Sequence, residues 1–160
     1  MADNVLQFDD GSVTLTLFTT DGPQIKWYPN DVNFVDRLSR FNAWFEEFGN
    51  RVRNLKGLKS LELDDSGVPI KYDEEYEVGS IEQLGQEFRD QLDLTFASSI
   101  SAVTFGNINP ISPTKSGGLV YENFLDAVMP IIEKSFDSFA EAREKYTNQF
   151  KNRAQRRVNS

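Results

Sequence analysis

Chemistry in this sequence must come from carboxylates, Lys, Tyr, Ser and Thr, because the chain has no cysteine and no histidine. The missing Cys excludes disulfides, thiolate zinc sites and Cys nucleophiles. The missing His excludes Ser-His-Asp catalysis and most transition-metal sites. Oxygen-ligated Mg²⁺ or Ca²⁺ stays open, and the densest acids are Asp64, Asp65, Asp73, Glu74, Glu75 and Glu77. Their spacing is not that of a twelve-residue calcium loop, which needs alternating Asp residues, a Gly and a distant Glu. A solvated acidic face is the plainer reading. Glu46 and Glu47 are adjacent on a helical stretch and point apart, so they do not form a carboxylate pair.

Two further stretches invite a chemical reading. Thr114-Lys-Ser-Gly-Gly118 places Lys-Ser in a Gly-bearing loop before a helix. A phosphate-cradling loop needs Gly before the Lys and another Gly five residues earlier. Here Thr114 and Asn109 stand at those places, so the match fails and a loop with a helix cap is the simpler account. From Arg143 the chain turns basic, with Lys145, Lys151, Arg153, Arg156 and Arg157 against Glu144. No aromatic residues interleave Arg153 to Arg157 as base stacking would require. The net charge is −8 and the pI about 4.6, which repels nucleic acid.

The elements that must position these residues follow from periodicity. From Asn30 to Leu55 the apolar residues fall at Phe34, Leu38, Phe41, Phe45, Phe48, Val52 and Leu55. Alternating steps of four and three put them on one helical stripe, with Trp44 at its edge. The stripe would serve either as a coiled-coil seam or as the centre of a small helical domain, and its short length and Phe content favour the second. Asn30 or Asp31 caps its start, and Gly49 interrupts it at about 1 kcal/mol relative to Ala.

Before it, Val13, Leu15 and Leu17 alternate with Thr14 and Thr16, the period of a half-buried strand. Thr20-Asp-Gly-Pro23 is a turn in which Gly22 can take φ > 0, and Ile25 to Tyr28 is the second strand. Val5 to Phe8 is a candidate third strand. A weaker hairpin is predicted around Leu61–Leu63 and Ile70–Tyr72. From Leu61 to Leu94 eleven acids face two bases.

Ser80 and Gln83 form a capping box for a second helix with Ile81, Leu84, Phe88, Leu92 and Phe96 inward, continuing or bending through Ser98 to Val103. Asn107 to Gly118 is a loop. The last helix starts near Leu119 and carries Pro130, which predicts a kink or restart. The expected fold is α+β, a mainly helical domain of three to four helices with a small N-terminal antiparallel β-hairpin. The boundaries are one domain over 1–150, with the hairpin at 12–29 and helices at about 31–55, 80–104 and 119–150. Residues 151–160 form a basic, frayed tail. No stretch reaches the roughly 18 apolar residues of a membrane span, and the first residues lack the basic and apolar regions of a signal peptide.

Val103-Thr-Phe-Gly106, Asn109-Pro110, Ser112, Thr114, Ser116-Gly117, Tyr121 and Phe124-Leu-Asp-Ala-Val-Met-Pro-Ile-Ile132 carry a resemblance. Over about Ser98 to Phe150 the chain resembles small tail-region proteins of siphoviruses and prophages of Gram-positive bacteria, described as tail assembly chaperones. The resemblance implies a non-catalytic protein without cofactor or metal, in the cytoplasm of the bacterial host. It implies binding to other phage tail proteins, among them the tape measure protein, while the acidic net charge argues against nucleic acid and the lack of an apolar span against membrane. The opposite charges of the basic tail and of the 61–94 segment make a homo-oligomer a further expectation. The contact residues it implies lie on the last helix: Phe124, Val128, Ile131, Ile132, Phe136, Phe139, Tyr146 and Phe150. The rival readings are a virion structural or connector protein and, in another class, an Mg²⁺-dependent carboxylate enzyme.

Overall fold

The computed structural model describes residues 4–55, 62–63, 65–66, 69–71 and 78–158. The fold is α+β and mainly helical, with an N-terminal antiparallel hairpin. Strand β1 spans Val13–Thr16 and β2 spans Gln24–Trp27. They pair with Val13 opposite Trp27 and Leu15 opposite Ile25. Ile25 and Trp27 are buried, and Leu15 and Leu17 pack against the core. Val5 to Phe8 forms no strand. Val5, Leu6 and Phe8 are exposed, so the alternation there never finds a sheet edge to join.

The hairpin loop is built differently from the expectation. Gly22 is not left-handed; its value is the absence of a Cβ, which would meet Leu17 C and Thr19 O at 3.0 Å. The left-handed residue is Phe18, at φ 69°. Leu17 N donates to Pro23 O at 2.8 Å and Gly22 N to Thr19 O at 2.9 Å, which closes the loop around it.

Helix α1 spans Val32–Arg53, and Asp31 caps it by accepting from Asn33 N at 3.0 Å. Its aromatic stripe is covered by the chain itself. Phe34, Phe41, Phe48, Val52 and Leu55 are buried, and Leu38 and Phe45 are partly so. The cover is α2, Val78–Phe96, through Leu84, Phe88, Leu92 and Phe96, completed by Phe105 and Tyr121. Trp27, Phe34 and Phe96 form a ring triangle with centroids 5.4–5.6 Å apart. Phe48, Phe88 and Tyr121 form another, at 5.1–5.7 Å. Tilted and edge-on contacts of this kind add about 0.5–1.5 kcal/mol each beyond burial. Arg51 grips Glu87 across α1 and α2 with two hydrogen bonds, at 3.1 and 2.6 Å.

Helix α2 begins two residues before Ser80, so Ser80 and Gln83 lie inside the helix rather than at its cap. It ends in a Schellman turn: Ser98 N donates to Asp93 O and Ala97 N to Leu94 O. The left-handed residue at the turn is Ala97, φ 52°, so of the two expectations, continuation to residue 104 or a bend at Ser98, the chain breaks and bends there. A separate short helix, α3, spans Ile100–Phe105. Asp93 caps it from α2, accepting from Ser101 N and Oγ at 2.8 Å each. A second, minimal hairpin pairs β3, Glu62–Leu63, with β4, Pro69–Lys71. That is close to where the sequence placed one.

Helix α4 spans Val120–Val158 and runs through Pro130 without a restart. It also runs through most of the segment expected as a frayed tail. At about 1.5 Å per residue it is close to 60 Å long. Tyr121, Val128 and Ile132 are buried, and Leu125, Met129 and Phe136 pack on the core.

Candidate interaction surface

The loop before α4 is a brace. Asn109 Nδ2 donates to Ile81 O on α2 at 3.1 Å, and its Oδ1 accepts from Ile111 N at 3.0 Å. Pro110 and Ile111 are buried. Thr114 N and Oγ1 both donate to Gly118 O, at 2.9 and 2.6 Å. Asn123 Nδ2 donates to Thr114 Oγ1 at 3.1 Å. At the start of α4, Leu119 N donates to Glu122 Oε1, Val120 N to Ser112 O and Tyr121 N to Pro110 O. The N–H groups of Leu119, Val120 and Tyr121, which an anion at this helix start would use, are therefore committed within the chain.

Arg89 holds the other side of this brace. Its Nη2 donates to Gly106 O and Ile108 O at 2.7 Å each, its Nη1 reaches Ser101 O at 3.4 Å, and the guanidinium lies 5.7 Å from the Phe105 ring centroid. A cation at a helix C-terminus both satisfies orphan carbonyls and opposes the helix dipole. The result fixes α3 beside the hairpin and α4 with a gap between them.

That gap is an apolar cavity of about 450 Å³. Leu15, Leu17, Phe18 and Ile25 come from the hairpin, Ile100, Thr104 and Phe105 from α3, Ile108 from the loop, and Phe124, Val128 and Ile131 from α4. Its size falls in the range of about 300–1,000 Å³ usual for binding clefts. Phe18 (82% exposed), Ile108 (57%) and Ile131 (42%) stand at its edges. Thr104 Oγ1 is a buried polar atom in its wall without a hydrogen-bond partner among the described residues.

The residues expected from sequence to contact a partner divide between places. Phe124, Val128 and Ile131 line the cavity, but Val128 is 4% exposed and supports the wall from within the core. Ile132, 1% exposed, is a core residue and not a contact. Phe136 packs on Phe34, with centroids 6.3 Å apart. Phe139 and Tyr146 are exposed on α4 beyond the body. The side chain of Phe150 lies outside the described residues. Helical period alone does not separate the buried length of a stripe from its free length, so Val128 and Ile132 fall on the same sequence stripe as Phe139. The hairpin contribution was missed altogether. Phe18, an apolar residue at the mouth of a polar turn, was the signal for it.

Among the described residues no three acidic side chains converge as a metal site would require. Asp64 and Asp73 to Glu77 lie outside the described residues. Among the described residues no helix is long and apolar enough to cross a membrane. The architecture is that of a small helical scaffold which holds an open apolar cleft. Compared with protein-family models, with curated proteins and with solved structures, the chain matches none.

Proposed function

We propose that the chain is a non-catalytic binding protein of the phage tail assembly chaperone kind, which works in the cytoplasm of the bacterial host on other tail proteins. The apolar cavity between hairpin, α3 and α4 supports this reading most directly. A cleft without converging charged groups offers little to a reaction. With Phe18, Ile108 and Ile131 uncovered at its edges, it suits apolar side chains of another polypeptide. A tape measure protein, with long helical stripes that aggregate when bare, is the partner that the resemblance of Ser98 to Phe150 brings forward.

The test is the solution mass of the purified chain, alone and mixed with tape measure fragments from the same gene block. A discrete soluble complex is expected. Ile131→Lys, a change at an exposed rim position, should weaken it by about tenfold, or about 1.4 kcal/mol. Polymerisation of the chain alone, with indifference to the fragments, would instead favour a structural role in the virion.

A further inference from the structure

The stripe that seats α4 on the body does not end where the body ends. Leu125, Val128, Ile132 and Phe136 meet the core. Steps of three and four then carry the same face through Phe139, Arg143 and Tyr146, and in the sequence to Phe150. Among the described residues nothing covers this continuation. From Asp137 to Gln149 every side chain is exposed except the half-buried Thr147, and Phe139 and Tyr146 are 45% and 60% exposed. Arg143 lies over the Tyr146 ring, 5.6 Å from its centroid. The exposed length described, from Asp137 to Gln149, is about 20 Å at the helical rise.

Two features specify what would cover it. The first is spacing: a straight ladder of side chains three and four apart is matched along its length by another helix. The second is charge. From Asp137 to Val158 the sequence places six basic residues against three acids, Asp137, Glu141 and Glu144, while the whole chain carries −8. A second copy's arm would bring like charges together along the seam. Nucleic acid would meet the field of an acidic body, and the exposed Phe139 and Tyr146 give it no phosphate contact.

We propose that the free arm of α4 is a docking surface for an amphipathic helix whose apolar stripe is flanked by Asp and Glu. This deepens the reading of the chain as a partner-binding protein and rests on it. It adds a site separate from the cavity, and it states the chemistry of the partner helix.

The full chain is titrated with two synthetic heptad peptides sharing one Leu/Ile seam, one flanked by Glu and the other by Lys, with fluorescence anisotropy as the readout. The Glu peptide should bind at least about tenfold more tightly, and salt of about 0.5 M should erode that difference. The double variant Phe139→Ser with Tyr146→Ser alters only exposed positions. It should keep its helical circular dichroism and melting temperature while losing the Glu peptide. Equal binding of both peptides, binding of neither, or full binding by the double variant overturns the proposal. So does a duplex DNA probe that binds in preference to the Glu peptide. A dimer of the chain alone that the double variant dissolves also overturns it, since a second copy would then occupy the arm. If tape measure fragments are still captured in an Ile131-dependent way while the Glu peptide fails, the arm proposal falls and the cavity reading stands.

Discussion

The same substitution at two helical glycines should change stability in opposite directions. Gly49 lies within α1, and a Cβ built there would meet only the Arg53 guanidinium nitrogens, at 3.9 and 4.0 Å. That is ordinary contact with a flexible group, so Gly49→Ala gains helix propensity of about 0.5–1 kcal/mol. Gly85 lies within α2 against Asn109. A Cβ there would stand 2.7 Å from Asn109 Cγ and 2.8 Å from Nδ2, distances at which the amide must leave. Its departure breaks the bonds to Ile81 O and from Ile111 N. The first is worth about 1 kcal/mol net, and losing the second strands an N–H beside the buried Ile111 at about 1–3 kcal/mol. Set against the propensity gain, Gly85→Ala should destabilise by about 1–3 kcal/mol. For a chain of this size a 1 kcal/mol change moves the melting temperature by about 2–4 °C. Thermal unfolding by circular dichroism should therefore show Gly49→Ala above the parent and Gly85→Ala several degrees below. In an Asn109→Ala background the obstacle is gone, and Gly85→Ala should cost far less. If Gly85→Ala melts as high as Gly49→Ala, or costs the same in both backgrounds, then Asn109 does not brace α2 as described.

Two further outcomes follow from local geometry. Ala97→Gly should raise stability by about 0.5–1 kcal/mol, because it relieves an L-residue held at φ 52° in the Schellman turn. Unchanged or lowered urea midpoints would place the strain elsewhere. Burial, with the Glu122 charge adding, pushes the Tyr121 phenol up from 10.0 to about 12. The unfolded chain then releases this proton first, so stability falls as pH rises from about 10 towards 12. Urea midpoints across that range should slope downward, and Tyr121→Phe should flatten the slope. An equal slope in the variant would show that other groups set the alkaline limit.

What was legible in the sequence was what repeats. The stripe from Phe34 to Leu55 is read at once, since its alternating spacing has a single geometric solution and its aromatic content demands cover. The hairpin was equally plain from Val13, Leu15 and Leu17. What was not legible depended on single residues acting across space. Ala97 gives no sign of a helix end, because the glycine usual at a left-handed turn is absent. Asp93 caps a helix that begins seven residues later, a pairing that no window along the chain displays. Ser80 satisfied a capping pattern, yet α2 starts upstream at Val78. The cavity was hidden for a related reason: its walls come from four separate elements, and only the α4 wall has a period.

The residues that carry the resemblance to tail assembly chaperones have structural work in this fold. Asn109 binds the loop to α2, the Pro110 and Ser112 carbonyls accept the first N–H groups of α4, and Thr114 ties Gly118 to Asn123. A shared pattern of such residues therefore argues first for a shared loop-and-helix geometry. Recognition would fall on side chains with no internal duty: Phe18, Ile108 and Ile131 at the cavity, and Phe139 and Tyr146 on the arm. Of these only Ile131 lies within the quoted motif residues. Two proteins could thus share the brace and differ in partner, since the brace sets where α4 projects and the free side chains set what it meets. A loss of binding that follows from Asn109 would come with a loss of stability. A loss from Ile131 or Tyr146 should come alone, and that separation distinguishes the scaffold from the surface it carries.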